Sequence, residues 1–282
     1  MRVIHLGELR LILGSAGTGK TSTMHEELLL AAGQCPDGSP LWLITPEQAT
    51  FQAERDLSTR SKNGGIMRIR VTSFRRLAQT VSEMVGGSTL RPLSALGRQM
   101  LVRRIVEENR GVLRLFGRAA GQPGFCLRLA DLLAELKRYG VRSGELLRVL
   151  ESEAVIASAL AGKLHDLHLI LSHAEAKYAS LGLLDGEDVL DRLAHQVRDF
   201  ADFSGARIWL DGFTGFTPQE YVVLARMLSV AAEVTVSLSL PPHFLELNLR
   251  EENPFFTTWE TARQLKYELG RMADRVSVQP LM

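Results

Sequence analysis

The stretch LILGSAGTGKTST, residues 11–23, constrains the fold more than any other part of this 282-residue chain. Gly14 to Thr21 fit G-x-x-x-x-G-K-[ST], and the flanks supply the setting that gives the pattern physical meaning. Leu11, Ile12 and Leu13 form a short apolar run suited to a buried strand. Ser22 to Ala32 can continue as a helix with Met24, Leu28 and Leu29 on one side. Strand, glycine loop and helix together predict a phosphate-binding loop. Gly14, Gly17 and Gly19 let the backbone turn tightly and aim its N–H groups at phosphate oxygens, with Ser15, Ala16 and Thr18 completing the cradle. The positive end of the following helix adds to the anion site. Lys20 is placed to reach the outer phosphates and the Thr21 hydroxyl to ligate Mg²⁺, so ATP with Mg²⁺ is the expected ligand. The other account of these residues is an ordinary glycine-rich turn with a surface lysine.

Further short apolar runs predict more buried strands: Leu41 to Ile44, Ile69 to Val71, Ile208 to Leu210 and Val234 to Leu238. Such strands separated by helices argue for an α/β fold with a mostly parallel sheet covered on both faces. Between about Leu90 and Phe203 the pattern changes. Ala95 to Glu108, Phe125 to Tyr139, Ser143 to Leu150, Ala154 to Tyr178 and Asp185 to Phe200 all carry apolar residues at helical spacing. A strandless stretch of this length exceeds an ordinary crossover. The expectation is an all-helical subdomain, 90–203, inserted into a discontinuous nucleotide-binding domain formed by 1–89 and 204–282.

Composition sets bounds. With 45% hydrophobic and 23% charged residues the chain can bury a sizeable core. A formal net charge of +1 gives no global argument for nucleic-acid binding. Cys35 and Cys126 form neither a disulfide framework nor a metal pattern, which suits a reducing cytoplasm. No signal-peptide pattern is read at the N-terminus, and no segment approaches the roughly 18 apolar residues of a membrane span. His165, His168 and His173 share one predicted helix without an H-E-x-x-H or clustered-cysteine pattern, so no zinc site is expected.

A phosphate loop needs an acidic residue at the end of another buried strand to help hold the metal. Arg207-Ile208-Trp209-Leu210-Asp211 supplies one, although Asp211 also fits as a strand-ending turn residue ahead of Gly212. Hydrolysis further needs a group that orients or deprotonates water, and Gly212 has no side chain for that work. Thr217, Pro218 and Glu220 read as N-cap, N1 and N3 of a helix, which gives Glu220 a capping role. Binding is therefore better founded than turnover. Thr72 and Ser73 can donate to a phosphate and Phe74 can stack on a base, with Arg75, Arg76, Lys62, Arg68 and Arg70 nearby. Equally, Thr72 or Ser73 can cap a helix whose first residue, Phe74, packs beneath it. Arg98, Arg103, Arg104 and Arg110 form another basic group, read as a solvated helix face.

Taken together, LILGSAGTGKTST, LWLITPEQATFQAERDL, IRVTSFRRLAQTV, IWLDGFTGFTPQEYVVLARML and AEVTVSLSL resemble the N-terminal region of the AddB (RexB) family, the B-type component of bacterial ATP-dependent helicase/deoxyribonucleases. LDGFTGFTPQE is the most diagnostic piece. The resemblance implies a RecA-like first motor domain of the UvrD/Rep kind with a helical insertion. It implies an AddA-like partner protein, DNA as the substrate and work in double-strand break repair and recombination. It makes Gly14 to Thr21 the phosphate loop and Asp211 the acidic strand-end residue. Thr45 to Gln48 and Thr72 to Phe74 then stand at the DNA-contacting loops. UvrD-like motors carry Asp-Glu where this sequence has Asp211-Gly212, a departure that weighs against helicase-type turnover. Family members are far longer and carry a second motor-like domain and a nuclease domain bounded by iron–sulfur cysteines, so an iron–sulfur cluster is expected only outside these residues. The chain is accordingly read as a piece of such a protein that alone lacks nuclease and helicase activity. The rivals are an active UvrD-type DNA-dependent ATPase, a purely structural module and, fitting least, a metabolic kinase.

Overall fold

The structure, a computed structural model, describes residues 7–61, 66–86, 90–152 and 160–281. Lys62, and the start of the helix expected from Ala154, lie outside the described residues. Two compact units emerge, one from Met1–Gly86 with Leu190–Met282 and the other from Gly87–Val189.

In the first unit the apolar runs become strands because residues buried on both faces can satisfy their backbone only within a covered ladder. The strands are β1 (Glu8–Leu13), β2 (Leu41–Ile44), β3 (Ile69–Thr72), β6 (Arg207–Leu210), β7 (Glu233–Leu238) and β8 (Arg275–Pro280). They form one sheet in the order β3-β2-β6-β7-β1-β8, every pair parallel. Helices α1 (Lys20–Gln34) and α2 (Thr50–Arg60) bury Met24, Leu28, Ala53 and Leu57 against Ile12, Leu41, Leu43, Ile69 and Trp209. Trp42, one residue out of phase with Leu41 and Leu43, meets Phe200 and Phe203 edge-on at 5.8 and 5.3 Å. That packing explains why the sheet unit resumes at Leu190, ahead of the boundary at 204 read from sequence.

Strand β8 went unread in the sequence. Arg275, Ser277 and Gln279 leave no apolar run to read, and Pro280, which cannot donate to a ladder, suits the edge position β8 holds.

The second unit is built from α4 (Ala95–Glu108), α5 (Phe116–Ala119), α6 (Phe125–Arg138), α7 (Ser143–Leu150) and α8 (Ala161–Leu181), which follow α3 (Phe74–Met84) of the sheet unit. Its core gathers Val102, Ile105, Leu129, Leu133, Leu146, Ile170 and Leu171. The all-helical insert expected from sequence is corrected here, because this unit also holds a two-stranded ladder. β4 (Arg91–Leu93) pairs in parallel with β5 (Leu183–Asp185), a ladder too short to show an alternating pattern. Among the described residues no helix is long and apolar enough to cross a membrane.

Candidate functional site

Gly14 to Thr21 join β1 to α1. A Cβ on Gly14 would stand 2.9 Å from the Leu281 carbonyl oxygen and clash with the Thr18 hydroxyl. Gly17 and Gly19 have φ of +83° and +87°, the left-handed region that glycine enters freely. Ser15, Ala16 and Gly17 are exposed, so the crest of the loop is open. Gly19 stands at the N-cap of α1 with no side chain to cap the helix, and the first turn holds no acidic residue. The free N–H groups and the helix dipole there favour an anion. The Lys20 ammonium is buried and donates to the carbonyls of Gly14 at 2.9 Å and Ser15 at 2.7 Å, closing the loop from within. Burial pulls its pKa below the ordinary lysine value, and the nearby Asp211 charge opposes that shift.

Asp211 follows the last residue of β6, and its backbone N–H donates to Ile44 at 3.0 Å. The Thr21 hydroxyl donates to Asp211 Oδ2 at 2.6 Å, and the Ser237 hydroxyl donates to Oδ1. The fold thus brings together two residues read separately from sequence, Thr21 and Asp211, beside the anion-favouring loop. A hydroxyl and a carboxylate in contact are hard oxygen donors of the kind that suit Mg²⁺.

Gly212 is exposed and has φ +82°. Glu220 is committed elsewhere. Its carboxylate accepts from the Thr217 N–H at 2.7 Å while Thr217 Oγ1 accepts from the Glu220 N–H at 3.3 Å, a complete capping box on the helix Pro218–Leu228.

The three residues proposed to touch DNA are engaged internally. The Thr72 hydroxyl donates to the Ser73 carbonyl at 3.3 Å, and Ser73 Oγ accepts from the Arg76 N–H as N-cap of α3. Phe74 is buried, its ring 5.7 Å from Phe213 and 6.3 Å from Phe216. The capping and packing account therefore describes them here, and Phe74 offers no open face to a base. Arg68 is likewise spent on the carbonyls of Ala31, Cys35 and Ser39. Arg75 and Arg76 are exposed, and Arg76 lies 3.7 Å from Glu47. Phe51, which no sequence motif singles out, is 73% exposed at the start of α2.

His25 was also missed. It lies one helical turn beyond Thr21, fully buried, with Nδ1 lacking a hydrogen-bond partner. Burial lowers its pKa, against a smaller opposing pull from Asp211, so it stays neutral at pH 7. In the second unit His165 Nδ1 lies 3.2 Å from Asp166 and His168 Nδ1 lies 2.9 Å from the Ser143 carbonyl, while His173 is exposed. Among the described residues no three His, Cys, Asp or Glu side chains gather in a metal-binding group. Of the second basic group, Arg98 pairs with Asp185, Arg104 with Glu108 and Arg110 with Glu107.

Residues 11–279 match the family described as ADDB, N-terminal. Curated relatives, named as the B-type component of an ATP-dependent helicase/deoxyribonuclease, align along nearly all of this chain. The one from Heliobacterium modesticaldum is 43% identical over 278 residues, covering 95% of this chain and 22% of the relative. The Moorella thermoacetica protein is 41% identical over 261 residues, covering 92% and 23%. That of Symbiobacterium thermophilum is 39% identical over 277 residues, covering 94% and 24%. The chain therefore spans less than a quarter of the length of these relatives, and it belongs to the AddB N-terminal family.

Proposed function

We propose that this chain is the nucleotide-binding N-terminal part of an AddB-type helicase/deoxyribonuclease component, a P-loop domain of RecA-like type that holds ATP with Mg²⁺ and turns it over slowly or not at all. The observation that carries this reading is the Thr21–Asp211 hydrogen bond beside the Gly14–Thr21 loop. It joins hard-oxygen donors from two chain segments at the mouth of an uncapped helix. The loop N–H groups of Ser15 to Lys20 would bind the phosphates, Lys20 would swing from its carbonyl partners to the outer phosphates, and Thr21 with Asp211 would hold the metal. When bound, Mg²⁺ would neutralise phosphate charge and fix the orientation of the triphosphate. No step beyond binding has a provider among the described site residues: Gly212 has no side chain and Glu220 caps its helix.

The relatives' name, that of one component in a helicase/deoxyribonuclease, fits work with an AddA-like partner on DNA in the cytoplasm, with this domain as scaffold and DNA-end contact in repair and recombination. The exposed Phe51, with Arg75 and Arg76, offers nucleic acid an aromatic face and positive charge, which Thr72, Ser73 and Phe74 do not. Any nuclease activity, and any iron–sulfur cluster, would belong to the rest of the AddB protein.

Calorimetric titration of ATP with Mg²⁺ into wild type and Lys20→Ala, with phosphate release measured with and without single-stranded DNA, tests the proposal. Binding lost in Lys20→Ala and negligible release are expected. Robust DNA-stimulated release would establish the rival, a UvrD-type motor, and absence of wild-type binding would overturn the nucleotide reading.

A further inference from the structure

The two hydroxyls on Asp211 differ in a way that assigns them different tasks. Thr21 is exposed in the first turn of α1 at the open loop, whereas Ser237 is 2% exposed, inside the sheet on β7. Strand register explains the second contact. Leu210 pairs with Val236, so the next residues along, Asp211 and Ser237, come side by side, and Ser237 in turn pairs with Ile12 of the strand that leads into the loop. The row Ile12–Ser237–Asp211 thus ties the carboxylate to the strand that carries the phosphate-loop glycines.

A carboxylate that serves a cation must turn one oxygen toward it and keep the other from rotating into its place. A buried hydroxyl does this without neutralising the charge, as a lysine or arginine would. A cation arriving at the exposed side would take a lone pair of Thr21 Oγ1, whose O–H can go on donating to Asp211 Oδ2. The Ser237 bond to Oδ1 can persist throughout.

We propose that Ser237 is the positioning residue of the metal site: it fixes the Asp211 carboxylate through Oδ1 so that Oδ2 faces the divalent cation next to Thr21. This rests on reading the Gly14–Thr21 loop as an ATP·Mg²⁺ site. Ser237 itself touches neither metal nor nucleotide.

The test uses the 282-residue chain with Ser237→Ala and Ser237→Thr, and with Ser237→Cys as a near-isosteric replacement should alanine impair folding. Mn²⁺ binding is followed by electron paramagnetic resonance with and without ATP, and ATP binding is titrated separately in excess EDTA. About tenfold weaker Mn²⁺ binding is expected in Ser237→Ala and Ser237→Cys, of the size typical when a metal ligand loses its supporting hydrogen bond. Ser237→Thr should restore it, and metal-free ATP binding should stay within about twofold of wild type. A purely structural role would weaken metal-free ATP binding by the same factor, and that result overturns the proposal. So does unchanged Mn²⁺ affinity in both Ser237→Ala and Ser237→Cys, or a wild type that binds no Mn²⁺ with or without ATP. A wild type that binds Mn²⁺ but no ATP would instead sink the nucleotide reading, while the Mn²⁺ titrations still decide the role of Ser237.

Discussion

Asp185 in the second unit and Asp211 in the first are both buried carboxylates at the ends of short strands, 1% and 7% exposed, yet their partners differ in kind. Asp185 is neutralised from within. Lys137 Nζ donates to its Oδ2 at 2.9 Å and to Asp188 at 2.6 Å, Arg98 reaches its Oδ1 at 3.0 Å, and the Lys137 ammonium also stands 4.7 Å over the Tyr178 ring. The hydrogen-bond partners of the Asp211 side chain are hydroxyls, Thr21 and Ser237. Lys20, with two of its three donors on the carbonyls of Gly14 and Ser15, is felt by Asp211 through its charge. A buried carboxylate with bound cations has its charge settled and serves as a fastening. One held by neutral hydroxyl donors beside an open loop has no direct cationic partner among the described residues, which is what the proposed metal role requires. That contrast, more than either site alone, is the ground for the role proposed for Asp211.

The largest effect should come from breaking the fastening. Lys137→Met removes a buried cation and leaves Asp185 and Asp188 under-compensated. A loss of about 3–5 kcal/mol is expected, read as a shift in the urea midpoint of the second unit's transition. Adding Asp185→Asn should recover part of it. A loss below about 1 kcal/mol would mean that the cluster is no fastening and the contrast with Asp211 is empty. Acid sharpens the comparison. Burial works against the charged form of Asp185, but Lys137 and Arg98 outweigh it and hold the pKa below 3.8. A depressed folded value means the stabilisation is complete above 3.8 and drains as pH falls through the lower folded pKa. The stability gap between wild type and Asp185→Asn should therefore narrow below that pH, and a gap that stays constant would contradict the assigned pairing.

The next effect is on ligand more than on stability. Lys20→Ala removes a charged donor from the loop, worth about 1.5–3 kcal/mol of phosphate binding, or roughly ten- to a hundredfold in affinity. Ser15 is exposed but Gly14 is buried, so the unpaired Gly14 carbonyl should cost about 1–3 kcal/mol of stability, well short of the Lys137→Met loss. A variant that loses as much stability as Lys137→Met and binds ATP normally would make Lys20 another fastening and erase the distinction between the two units.

The two sites also differ in how far they could be read from the chain. Gly14 to Thr21 and Asp211 are legible because each is local: a spacing, a flanking apolar run, a carboxylate closing a strand. The runs Leu41–Ile44 and Arg207–Leu210 fold as strands, and Thr217 and Glu220 form the capping box their spacing suggests. Ser73 caps its helix in the same local way. Lys137 was invisible, since in LLAELKRYG it looks like a solvent-facing helix residue and its partners stand far along the chain. Ser237 was hidden for a related reason: in VTVSLSL it is one polar residue in an alternation, and its partner appears only when β6 and β7 become neighbours. His25 and the edge strand β8 belong to the same group, being defined by burial or pairing that no short window contains.

The smallest expected effect bears on whether the site lacks only a base. If Gly212 merely replaced a lost glutamate, Gly212→Glu would restore turnover. The backbone argues against this. At φ +82° any side chain beyond glycine is strained by about 1–2 kcal/mol. Space is not the obstacle, because a Cβ there would meet Pro46 Cδ at an ordinary 3.4 Å. Direction is. Pro46 follows β2, on one side of β6 in the sheet, whereas the Gly14–Thr21 loop follows β1, which lies beyond β7 on the other side. A glutamate at 212 would start out toward the wrong neighbour. Gly212→Glu should therefore lose about 1–2 kcal/mol in urea unfolding and release no more phosphate from ATP than wild type, with or without single-stranded DNA. A DNA-stimulated rise in release would show a catalytic centre one carboxylate short of completion. Asp211 would then belong to a motor rather than to a holding site.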